Sequence, residues 1–145
     1  MKSAVLIGIV IVAGMFACLY LQHRLPETEE MHGYFAQHQS EFKTTNRLLL
    51  SQLKTSESID PKQPDAVAYR HIEATRLPSA VIRYFTHFRG IGVASFGTGI
   101  AYLEKSPDKL YPDLQAMQQE ATEVEGFLGY GHLSGNWYYF RWEAD

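Results

Sequence analysis

Residues 4–21 read AVLIGIVIVAGMFACLYL, an apolar run with no charge and no strongly polar side chain. As a helix, this run would measure roughly 27 Å at ~1.5 Å per residue. That is close to the ~30 Å hydrocarbon thickness of a bilayer. Lys2 precedes the run, and His23 and Arg24 follow it. Tyr20 and Arg24 stand where interfacial anchors belong. The expectation is a transmembrane signal anchor over residues 1–24, with the membrane engaged through residues 4–21.

Two other fates are weighed. Cleavage as a secretory signal requires small residues at −3 and −1 of the cut, and a cut after Ala17 places Met15 at −3. Lipidation at Cys18 would make the chain a lipoprotein. The residues before it, Met15-Phe16-Ala17, fit a lipobox at Ala17 but poorly at Phe16. The uncleaved anchor is the favoured reading. The few residues before the run resemble those of ordinary bacterial signal anchors, whose N-terminus stays inside, so the domain is expected outside the cytoplasm.

The chain beyond the run is long enough for one core without staples. Aromatics make up 13% of the chain, which predicts a packed domain rather than a disordered tail. Formal net charge is −3, and Lys2 is the only charge in the first 21 residues. The remainder is therefore acidic, which argues against nucleic acid as a partner. Cys18 is the sole cysteine, so no intrachain disulfide and no multi-cysteine zinc site is available.

Pro26 suits a first helical turn, and Glu27, Glu29 and Glu30 fall where the helix dipole favours negative charge. Met31, Phe35, His38, Phe42, Thr45, Leu49 and Leu53 then recur at spacings of three and four, widened by Tyr34 and Leu48. This pattern predicts a juxtamembrane amphipathic helix over 25–55 that packs on its own domain. A homodimer through 27–54 is a further option. It is not favoured, because His38 and Thr45 place polar groups in the seam.

Residues 56–66 read as a loop with two prolines, and 67–145 as an α+β domain packing with the helix. Within that domain we expect a short strand over 67–73 and a helix entered at Leu77-Pro78-Ser79, with Val81, Tyr84, Phe85 and Phe88 on one face. A hairpin is expected next, over 91–104 around Gly97-Thr98-Gly99. A helix then opens at Tyr111-Pro112-Asp113, and a second hairpin turns at Ser134-Gly135-Asn136. The expected result is a small antiparallel sheet of two hairpins with helices on one face.

No motif assigns a chemistry. His71-Ile72-Glu73 is half of a zinc deaminase signature whose cysteine half is missing. Gly90-Ile91-Gly92 lacks the third glycine of a dinucleotide loop. In Gly131-His132-Leu133-Ser134-Gly135 the serine sits one place late for a nucleophile elbow. The histidines form no metal-ligand spacing, so no catalytic, cofactor or metal residues are assigned. Two features suggest a partner surface instead. Arg70, Arg76, Arg83 and Arg89 share a segment with one acid, Glu73, and suit an anionic polymer, lipid headgroups or an acidic envelope protein. In the Trp137–Trp142 strand, alternation separates Trp137 and Tyr139 from Tyr138, Phe140 and Trp142. We expect the second set to be buried and the first to be the more exposed.

The sequence thus describes a single-pass membrane-anchored envelope protein whose extracytoplasmic domain binds or regulates another envelope component. The alternative is an envelope enzyme joining His132, Glu73 and an arginine of the 70–89 block. A pilin-like subunit is weaker still, since the hydrophilic leader and its Gly-Phe-x-x-x-Glu junction are absent from the sequence.

Overall fold

The structure, a computed structural model, describes residues 26–59, 68–76, 78–89 and 95–144. The expected N-terminal anchor lies outside the described residues. Among the described residues, no helix is long and apolar enough to cross a membrane. The described part is α+β: one long helix, one short helix and a six-stranded antiparallel sheet.

Helix α1 covers Thr28–Leu53. Its start is fixed by a capping box, in which the Glu27 carboxylate accepts from the third helical amide and Glu30 accepts from the Glu27 amide at 2.7 Å. Met31, Phe35, Phe42, Leu49 and Leu53 are buried, as the periodicity predicts. The stripe is rotated slightly from the expected one. Asn46 is buried in it, whereas Leu48 is 61% exposed. Asn46 is accommodated because its Oδ1 accepts from the Tyr84 hydroxyl at 3.3 Å.

The strands are β1 (Ser58–Ile59), β2 (His71–Thr75), β3 (Val81–Arg89), β4 (Phe96–Leu103), β5 (Phe127–Ser134) and β6 (Trp137–Glu143). Helix α2, Leu114–Ala121, precedes β5 and is capped by Asp113, which accepts from the Ala116 amide at 2.7 Å. The sheet order is β1-β2-β3-β4-β6-β5, so the β5–β6 hairpin joins with its second strand beside β4. Both helices pack on one face, as expected. The Phe42 ring sits among those of Phe35, Tyr69, Tyr84 and Trp137 at centroid distances of 5.2–6.2 Å. Leu114, Met117 and Ala121 of α2 belong to the same core.

Two elements differ from expectation. The segment 81–89 is strand β3, not a helix. Its β-branched and aromatic residues favour a pleated backbone, and both of its faces are buried: Ile82 and Tyr84 under α1, Phe85 on the opposite side. Burial on both sides erases the alternation and leaves a helix-like spacing. Gly97-Thr98-Gly99 is not a turn either, because β4 runs straight through it in register with β3 and β6. Its glycines answer to packing. A Cβ on Gly99 would collide with the Tyr84 carbonyl oxygen and crowd the Phe140 ring. The hairpin expected at Ser134-Gly135-Asn136 is present, with Gly135 in the left-handed region at φ 57°.

The segment before α2 touches the outer edge of β5 at one point. The Tyr111 amide donates to the Tyr130 carbonyl at 2.8 Å, and the Tyr139 hydroxyl donates to the Pro112 carbonyl at 3.0 Å.

Candidate functional site

The face of the sheet turned away from both helices carries its own cluster: Phe85, Ala101, Leu103, Tyr130, Tyr138 and Phe140, with Val81 and Trp142 packed against it. Register explains how it assembles. Phe85 of β3, Gly99 of β4, Phe140 of β6 and Tyr130 of β5 lie in one row across the sheet. The missing side chain at Gly99 lets the two phenylalanine rings meet edge to face at 5.0 Å. In the row above, Phe88, Gly97, Trp142 and Leu128 align in the same way. There the Phe88 and Trp142 rings lie 6.1 Å apart and within 16° of parallel.

A polar strap crosses the other end of this face. Arg83 Nε donates to the Tyr130 hydroxyl at 2.8 Å, although β4 and β6 stand between their strands. At ~4.8 Å per strand, the two backbones would sit roughly 14 Å apart on a flat sheet. The side chains meet across a row in which β4 contributes only Ala101, beside Tyr138 of β6. Arg83 also pairs with Glu73 at 3.4 Å, and Ser106 meets the Tyr138 hydroxyl at 3.2 Å. Burial raises the Tyr130 hydroxyl above its usual pKa, while Arg83 pulls the other way. The phenol oxygen serves here as an acceptor for the guanidinium.

The four arginines do not converge. Arg76 closes the C-terminal end of α1 by donating to the Leu53 carbonyl at 3.0 Å, and Arg83 lies in the strap. Arg70 is exposed at the opposite end of β2 from Arg76, and Arg89 ends β3 opposite Phe96. Trp137 and Tyr139, expected to be the more exposed pair, are instead 7% and 1% exposed beneath α1. The helix covers this side: Trp137 contacts Phe35 at 5.3 Å, and the His32 ring lies 5.9 Å from Tyr139. Tyr138 and Phe140 are buried as expected, while Trp142 at the strand end is partly open. His132 bonds the Gly135 carbonyl at 3.1 Å and meets Tyr138 edge to face, four strand positions from Glu73.

Exposed apolar side chains gather on the upper row. Phe88 is 47% and Leu128 40% exposed, with Trp142 between them. The alternating-aromatic pattern points to strand β6 but not to this row, because Phe88 is spaced from its neighbours as in a helix. Among the described residues, no three His, Cys, Asp or Glu side chains come together as metal ligands. No protein-family model, curated protein or solved structure matches the chain.

Proposed function

We propose that this chain is a single-pass membrane protein, anchored by residues 4–21, whose α+β domain lies outside the cytoplasm and binds or regulates another component of the envelope. The observation that carries the reading is the uncharged run ending at Leu21, a few residues before the capped start of α1 at Thr28. A domain with its own two-faced core, hung on so short a tether, suits a role at the membrane surface. The aromatic face supports a binding role over a catalytic one. Its charged assembly, Glu73–Arg83–Tyr130, is internally paired, and His132 stands apart from it.

The test is topological. A reporter active only outside the cytoplasm, fused after Asp145, should be active, and the chain should stay with membranes through an alkaline carbonate wash. Cys18→Ser should not alter that retention. Release of the wild-type chain would overturn the anchor, and release of the serine variant alone would assign anchoring to a lipid on Cys18.

A further inference from the structure

The apolar row Phe88–Trp142–Leu128 lies at one end of the sheet, and so does the start of α1. The Thr28 hydroxyl accepts from the Leu114 amide at 2.9 Å, which ties the first turn of α1 to the first turn of α2. Tyr111, just before α2, packs on Phe127 at 5.6 Å, and Phe127 is the neighbour of Leu128. His32, one turn into α1, reaches Tyr139, and Trp142 is three residues further along the same strand. At ~3.3 Å per residue, that is roughly 10 Å.

The tether sets a second distance. Residues 22–27 separate the apolar run from α1. Fully extended at ~3.5 Å each, they span no more than about 25 Å. An anchored domain therefore keeps this end within a short reach of the hydrocarbon boundary.

We propose that the Phe88–Trp142–Leu128 row is seated in the interfacial layer of the chain's own bilayer. This inference rests on the anchoring reading above. Trp favours the headgroup level, Phe and Leu beside it suit the headgroup–acyl boundary, and an exposed apolar row on a small domain needs such a cover. The attraction is apolar and not ionic: at this end Glu27, Glu29 and Glu30 at the start of α1 offset Arg70 before β2 and Arg89 at the end of β3, so anionic lipid is not called for. A zwitterionic phosphatidylcholine surface is the fitting occupant. The arrangement would hold the sheet at a fixed tilt against the membrane and turn the opposite end, with Arg76 and the β5–β6 turn, outward.

The chain's two tryptophans make the test. In Trp137→Phe, Trp142 is the only reporter; in Trp142→Phe, the helix-covered Trp137 is. Each full-length variant is reconstituted into phosphatidylcholine vesicles with or without lipid brominated high on the acyl chain. Trp142 should be quenched at least about threefold more strongly than Trp137, with no change in high salt. Adding Phe88→Ser and Leu128→Ser to the Trp142 reporter should remove that excess while flotation with vesicles persists. An unchanged melting temperature would show that these variants fold, and Leu128→Ser alone provides a milder version. Chains that float but show equal quenching of the two tryptophans overturn this inference and leave the anchor standing. Crosslinked pairs joined at the row, without quenching, overturn it in favour of a second copy. Failure to float after alkaline washing overturns the anchor and this inference together.

Discussion

The two faces of the sheet bury similar aromatic residues by different means. On one, Phe42 and its neighbours are covered by a second layer, helix α1, whose side chains interleave with Tyr84 and Trp137. On the other, the described helices take no part. Rings from β3, β5 and β6 lean inward over a central strand reduced to Gly97, Gly99 and Ala101. The first face depends on large partners and the second on small ones. Sensitivity to mutation should therefore fall on opposite residue types.

The largest expected loss is at Phe42, which is 0% exposed. Phe42→Ala should lower unfolding free energy by about 3–5 kcal/mol, a large share of the ~5–15 kcal/mol available to a domain. Denaturant unfolding in detergent or vesicles measures it. A smaller loss than that from Phe140→Ala would break the comparison by making the aromatic face the principal core.

Gly99→Ala should come next. The added methyl meets the Tyr84 main chain, which cannot swing away, as well as the Phe140 ring. Overpacking of this kind costs about 1–3 kcal/mol, and more where backbone is hit. Gly33→Ala has nothing within 4 Å of its new methyl and sits within α1. It should be stabilising by up to about 1 kcal/mol. Equal effects at the two glycines would show that β4 yields easily and that its small residues are incidental.

The smallest effect concerns His87, at the bulge where β3 slips against β4. Burial first, and then Arg70, hold its pKa below the ordinary value, while Glu30 of α1 pulls it up. The folded chain thus binds this proton less readily than the unfolded one. The associated stability is fully present above about pH 6.5, and it declines as pH falls through the window below that. Arg70→Gln should shift the His87 titration upward, followed by NMR, and should soften the decline. No upward shift would mean that burial alone sets the value and that the polar fringe of the helix face is passive.

The long helix, α2 and the last hairpin are legible in the sequence because each carries a local signal: a stripe with acids at its start, an Asp cap, and Ser-Gly-Asn between aromatic runs. Strand β3 and the straight course of β4 are not. Their signals cross strands. Phe85 and Phe88 need Gly99 and Gly97 opposite them, and from a single segment those glycines look like a turn. The same blindness hides the upper row. Phe88, Trp142 and Leu128 are far apart along the chain and become neighbours only through the order β3-β4-β6-β5. Trp137 and Tyr139 lie on the side opposite to expectation because alternation says that two faces exist but not which one a helix will choose.

The hydrogen bond from the Tyr111 amide to the Tyr130 carbonyl has a consequence for company rather than for the fold. A strand as long as β5 at the border of a sheet is an invitation to strand addition, by another copy or by any extended peptide. Here the chain answers the invitation itself. Tyr111 occupies the Tyr130 carbonyl, and the next residue, Pro112, has no amide with which to extend the ladder. At the far border, β1 is two residues long and offers almost no template. Each border thus offers an incoming strand less than its length suggests.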